Sequence, residues 1–204
     1  MNNNIIKNGI EMNDYERQDS IIKTIINMLI ARKWIDDDFD KYYNMLSKKN
    51  ELIDMTHIVH NDKKIAIKFY GSKLNSLKND KEIDSLFNTY PEDHKIIIVN
   101  DISPKAEKQI IDMTNFEAFK EMEVIRDISQ HHLVPKHILL SKDDGKKMMD
   151  EYNIIKKHMG RIYLDDPMCR YLYAQKDDII QIIRCSINSG YSTYYRLVIP
   201  GSIR

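Results

Sequence analysis

Ile96, Ile97, Ile98 and Val99 form an uninterrupted β-branched run. A strand with one face in water alternates apolar and polar residues, so a run with no polar member predicts a central strand covered on both faces. Such a strand needs layers on either side, and the flanking sequence offers them. Ile21, Ile22, Ile25, Ile26, Leu29 and Ile30 recur at helical spacing behind a capping Asp19 or Ser20, so ordered structure is expected from near Ser20. The acidic run Asp36 to Asp38 precedes a second short helix through Phe39, Tyr43 and Leu46. Met55 to Val59 and Ile65 to Phe69 read as strands around an Asn61-Asp62 reversal, followed by a helix over about 80–88 that Pro91 closes. Ser103-Pro104 opens a further helix through Ile110, Ile111 and Met113, and Val124 to Ile128 is expected to be another strand. Alternation of strand and helix predicts an α/β sandwich.

The chain has 204 residues, 31 Lys+Arg against 31 Asp+Glu, and is 42% hydrophobic. That is enough for one large or two small domains without a disulfide or structural metal. Its two cysteines, Cys169 and Cys185, form no C-x-x-C pair and are expected to be buried small residues. With no charged-then-apolar leader read at the N-terminus, a reducing compartment is expected. No apolar run approaches the roughly 18 residues of a spanning helix, so no membrane role is expected.

Zero net charge conceals a division at Gln130. Residues 1–130 carry 19 Lys+Arg and 23 Asp+Glu, whereas residues 131–204 carry 12 and 8. Neither part has the strong basic footprint of an autonomous nucleic-acid binder. After Gln130 the texture changes, and a boundary is expected near 128–133. The reading is a frayed terminus over 1–14, an α/β domain over 15–130 and a small α+β domain over 131–204. In the last of these, Lys136 to Leu140 reads as a strand. Ser141 and Asp144 suggest a capping box before a helix to about Tyr152. Asp165-Asp166-Pro167 marks another helix start. Ile179 to Ile187 and Ser192 to Ile199 flank Asn188-Ser189-Gly190-Tyr191, the pattern of an antiparallel hairpin.

Chemistry-bearing candidates are sparse. The six glycines stand too far apart for a phosphate loop, and His131, His132 and His137, like His57 and His60, lack ligand-like spacing to an acid or Cys. The sharpest enzymatic reading is a metal-dependent nuclease with Asp54 as first acid and Lys68 as the lysine of an acid-x-Lys triplet. The acid position of that triplet is Ala66, which leaves no adequate Mg²⁺ site and casts Lys68 as a solvated residue at a strand edge. The eleven methionines read as core filling. Tyr191, Tyr194 and Tyr195 are expected to serve packing or an interface rather than base stacking.

Five ordered motifs in about 70 residues carry a resemblance: His132-Leu133-Val134-Pro135-Lys136-His137, Arg161-Ile162, Asp166-Pro167-x-x-Arg170-Tyr171, Ile182-Ile183-Arg184 and Tyr195-Arg196-Leu197-Val198. They resemble the L-V-P-x-H, R-I, D-P-x-x-R-Y, I-I-R and Y-R-x-V elements of the fifth subunit shared by eukaryotic nuclear RNA polymerases, a family that includes a shorter archaeal counterpart. Fainter similarity runs from about residue 15, including Ser103-Pro104-Lys105-Ala106, as in the longer eukaryotic type. Departures stand at Gly160, Cys169, Tyr173 and Cys185-Ser186-Ile187. The 33 Ile, 16 Asn and 23 Lys suit an A+T-rich genome, and large DNA viruses carry divergent versions of this subunit.

The resemblance implies a nuclease-like but non-catalytic N-terminal jaw domain and a C-terminal assembly domain docked on the largest polymerase subunit. Ser103, Pro104 and Lys105 are then expected near downstream double-stranded DNA, in weak, sequence-neutral contact. His132, Leu133, Val134, Pro135, His137, Arg161, Asp166, Pro167, Arg170, Tyr171, Arg184, Tyr195 and Arg196 are expected at the assembly interface or as family motif. Tyr194 joins them as an aromatic anchor. No cofactor, metal, small-molecule substrate or catalytic residue is implied. The location would be the nucleus for a cellular protein, or host cytoplasm and virion for a viral one. A stand-alone nuclease or nucleic-acid-binding protein, and a free transcription adaptor, are the alternatives.

Overall fold

A computed structural model describes residues 5–7, 10–47, 56–77, 80–111, 113–186 and 188–201. Asp54, Met55 and Ile187 lie outside the described residues. The chain divides into two compact units, Met1–Arg126 and Asp127–Arg204.

The first unit opens with strands β1 (Ile5–Lys7) and β2 (Ile10–Met12), paired antiparallel. Helix α1 (Asp14–Ala31) follows. Its start is six residues before the expected one, and the segment read as frayed is ordered in part. The missed signal is polar: Asn13 Oδ1 accepts from Glu16 N (2.8 Å) while Asn13 N donates to Glu16 Oε2 (3.1 Å), a complete capping box. One stripe of α1, from Ile21 to Leu29, is buried. Helix α2 (Phe39–Ser47) has Asp38 at its start, its carboxylate accepting from Lys41 N.

Strands β3 (Thr56–His60) and β4 (Lys63–Leu74) form the expected antiparallel reversal, with Asn61 in the left-handed region at φ 48°. Helix α3 (Lys81–Thr89), β5 (His94–Ile102), α4 (Pro104–Ile111) and β6 (Phe116–Lys120) complete two β-α-β units, and the sheet order is β3-β4-β5-β6. β5 lies between two parallel neighbours, and His94 through Val99 are all buried. One sheet face packs Ala66, Ile97, Val99 and Ala118 against Ile83 and Leu86 of α3 and Ala106 of α4.

Two expectations fail here. Val124 to Ile128 is no strand: helix α5 (Glu121–Val124) ends there and Ile128 opens a 3-10 turn. A short apolar run cannot by itself be told from a buried helical segment. The strand is β6, overlooked because Glu117 interrupts its apolar pattern. Lys68, expected at a strand edge in solvent, stands on interior β4 with its side chain only 13% exposed, 3.0 Å from Glu82.

The second unit is a four-stranded sheet ordered β7-β9-β10-β8, with β7 (Lys136–Leu139), β8 (Gly160–Tyr163), β9 (Ile179–Ser186) and β10 (Gly190–Ile199). β9 and β10 form the expected hairpin, and Gly190 turns it at φ 71°. β8 escaped notice as a strand because it is four residues long, and it pairs parallel with β10 across a long connection. Helix α6 (Lys142–Glu151) is capped by Ser141, whose Oγ accepts from Asp144 N (3.1 Å) and donates to the Asp144 carboxylate (2.6 Å). Its Met148 joins Met159, Ile179 and Leu197 in the core of one sheet face. Helix α7 (Pro167–Tyr171) begins with Asp166 accepting from Met168 N and Pro at its first position. Of the two cysteines, Cys169 is buried and Cys185 is exposed, contrary to expectation for the latter. Cys185 lies near the free end of the hairpin, beyond the covered part of the sheet.

Candidate functional site

In the first unit, Ser103 closes β5 and starts α4. Its N–H donates to Leu74 O (2.9 Å), its Oγ donates to Asn75 O (2.7 Å), and Oγ accepts from Ala106 N (3.2 Å). Pro104 then fits the first helical position, where its missing N–H costs nothing. These bonds fix the corner and leave Pro104 and Lys105 exposed. The corner lies at the carboxyl end of the parallel strands, where loops and helix starts gather polar groups. Beside it, Asp101 meets Lys73 (2.7 Å) and Lys120 (3.6 Å) from β4 and β6. The Lys73 hydrogen bond foremost holds the Asp101 carboxyl below its ordinary value.

The other end of this sheet holds buried charge. Arg32 makes a bidentate pair with Glu117 (2.7 and 2.9 Å), and His94 Nε2 donates to the same carboxylate (2.6 Å). Burial acts to raise Glu117, but the Arg32 charge and the His94 and Arg32 hydrogen bonds win and hold it below its ordinary value. Nearby, Lys95 is 2% exposed and donates to Pro91 O and Asp93 O, and burial lowers it from the usual lysine value. Ala66, at the acid position of the nuclease triplet, is completely buried in the core. Its methyl side chain supplies no carboxylate for a metal.

In the second unit the motif residues separate into two kinds. Some build the fold. Asp166 and Pro167 start α7; Tyr171 is buried and its OH accepts from Ser129 Oγ (3.2 Å). Val134 and Pro135 are half-buried, with Val134 N donating to His131 O (2.8 Å) and His137 Nδ1 set 2.7 Å from Pro135 O. Tyr195 is half-buried against the α6 core. The others stand outward: His132, Leu133 (75% exposed), Arg161, Arg184 and Arg196 are exposed, and Arg170 is half-buried. Cys169 is no nucleophile, since burial, then Asp166 and Asp165, push its thiol up to about 12.

Register shows which of these share a face. His137 pairs with Ile182 and Ile182 with Tyr194, while Arg184 pairs with Ser192 and Arg196 with Ile180. Alternation therefore places His137, Arg184, Tyr194 and Arg196 on one face, and Tyr195 on the other. Arg184 lies over the Tyr194 ring, 4.1 Å from guanidinium carbon to centroid. An Arg-aromatic cluster of this kind is suited to a protein interface.

The family model for RNA polymerase Rpb5, C-terminal domain, matches residues 126–198. DNA-directed RNA polymerase subunit 5 of Acanthamoeba polyphaga mimivirus is 30% identical over 186 residues, 88% of this chain and 90% of that one. The chain belongs to the Rpb5 family of RNA polymerase subunits. Another family member, the subunit rpabc1 of DNA-directed RNA polymerases I, II and III of Dictyostelium discoideum, is 26% identical over 92% of this chain and the whole of that protein. Subunit Rpo5 of the DNA-directed RNA polymerase of Thermofilum pendens is 41% identical over 75 residues, 37% of this chain and 94% of that one. The resemblance read from the five motifs is thus the family itself, with a viral member among its relatives.

Proposed function

We propose that this chain is a non-catalytic subunit of a multisubunit DNA-directed RNA polymerase. Its second unit is the assembly domain, docked on the largest subunit through the face that carries Arg184, Tyr194 and Arg196; Arg161, paired with Leu197, stands on the opposite face of the same sheet, and Arg170 belongs to the same motif set. Its first unit is the jaw, with the corner at Ser103, Pro104 and Lys105 turned to downstream duplex DNA. One exposed lysine and the start of a helix position a phosphate backbone without reading sequence. The chain works in the nucleus if its source is a cell, and in host cytoplasm and virion if it is a virus.

The observation that carries this reading is that the motif arginines Arg161, Arg184 and Arg196 are exposed, although the motif residues around them are taken up by the fold. Exposed arginines held on a rigid sheet offer an interface its anchors. The nuclease alternative loses its ground at buried Ala66. The testing experiment is affinity purification of the tagged chain from its native source at moderately high salt, with mass spectrometry of what accompanies it. The two large catalytic subunits are expected in equal amounts; return of the chain alone would overturn the assignment. In a reconstituted polymerase, Lys105→Glu is expected to lower the salt tolerance of elongation complexes while assembly is unchanged.

A further inference from the structure

A cleft of about 300 Å³ opens in the second unit between α6 and the start of β9. None of the family-motif residues lines it. Its walls are Leu140, Met149 and Ile179, with Gly145 in the helix wall, and its rim carries Lys142, Lys146, Lys156 and Lys176. The glycine permits the close approach of helix to strand: a Cβ at Gly145 would stand 3.2 Å from Ile179 Cδ1.

The charge on this rim is compensated only in part. Lys156 Nζ is occupied by the carbonyl of Asp177 (3.3 Å). Among the described residues, no ion pair is formed by Lys142, Lys146 or Lys176. Lys142 and Lys146 stand four apart on α6, a like-charge spacing that weakens a helix. Lys142 also sits in the first turn, where the helix dipole disfavours a cation. The acids at the cleft, Asp177 and Asp178, are fewer than the lysines, and Asp178 already accepts from Gln175 N (2.7 Å).

We infer that this cleft binds a linear acidic segment of a partner protein that inserts one apolar side chain between α6 and β9, with its carboxylates meeting Lys142, Lys146 and Lys176. The composition of the lining selects a peptide over nucleic acid. Single-strand binders stack bases on aromatic rings and grip phosphates with arginine forks, and the lining contains neither aromatic residue nor arginine. It offers an aliphatic and methionine wall beneath a cationic rim, the complement of an apolar residue flanked by Asp and Glu.

The test uses the full chain and three fluorescent probes followed by anisotropy: an acidic peptide with a central Leu, the same peptide with Gly in that place, and an oligothymidylate of equal charge. The Leu peptide is expected to bind at least about tenfold tighter than either other probe. Lys146→Glu with Lys176→Glu is expected to weaken it by about tenfold or more, whereas Lys157→Glu, outside the cleft, leaves it unchanged. All three lysines are exposed, and an unaltered circular dichroism spectrum verifies the fold. Equal or tighter binding of the oligothymidylate, no gain from Leu over Gly, or indifference to the double variant would overturn the inference. No polymerase is present in this assay, so its failure leaves the subunit assignment intact.

Discussion

The two units place their charge oppositely. Every buried Arg, Lys, His, Asp or Glu among the described residues, namely Arg32, Asp93, His94 and Lys95, belongs to the first unit, and Arg32 and His94 join Glu117 in one network. Among the described residues the second unit buries none of these types, and its described arginines and lysines stand at or near the surface. A charge inside must be satisfied by the fold, so it specifies a structure and is lost to partners; a charge outside contributes little to stability and is free for recognition. The first unit is thus expected to show its sensitivity in folding, the second in binding.

The largest effect that could break this contrast lies at Glu117. Its replacement by Ala leaves Arg32 buried without its carboxylate, and about 3–5 kcal/mol of stability is expected to go. Trp34 is the sole tryptophan, stands edge-on to His94 at 4.6 Å and lies beneath the Arg32 guanidinium, so its fluorescence during urea unfolding reports on this network. A loss under about 1 kcal/mol would show that the network is ornamental to the fold.

Acid sharpens the same comparison. The folded Glu117 carboxyl is held below its unfolded value, so its contribution is present above the unfolded value of about 4.3 and is lost as pH falls through the folded one. The Trp34 signal is expected to begin its acid transition below about pH 4, and Glu117→Gln is expected to flatten that transition. An acid limb identical in the two proteins would exclude Glu117 as its source.

A smaller effect is expected in the second unit. Asp166→Ala removes the side-chain cap on Met168 N at the start of α7, for a loss of about 1 kcal/mol by thermal or chemical unfolding followed by circular dichroism. Smallest of all is Arg184→Ala with Arg196→Ala, whose expected stability change is within about 0.5 kcal/mol. Recovery of polymerase subunits with the tagged double variant is nevertheless expected to fall. A stable double variant that still recovers them in full would remove these arginines from the interface. Tyr171→Ala is unsuited to that purpose, because the buried ring and its bond from Ser129 make it a folding variant.

The sequence by itself determined what neighbours along the chain decide. The Ile96–Val99 run identified β5 as interior, the Ile21–Leu29 stripe identified α1, and Ser141, Asp166-Pro167 and Asn188-Ser189-Gly190 marked two helix starts and a hairpin. Each rests on a local period or a cap whose partner is two to four residues away. The five motifs named the family for the same reason, since their order and spacing are properties of the chain. Tertiary structure decided whatever needs a distant partner. Glu117 can occupy a buried strand only because Arg32, 85 residues earlier, meets it there. β8 is a strand only because β10, more than thirty residues on, supplies its hydrogen bonds. The fate of Lys68, the exposure of Cys185, and the gathering of four lysines from three segments around one cleft follow the same rule. A pattern of period two or 3.6 states which side of an element is apolar, and only closure of the intervening loops states what that side will meet.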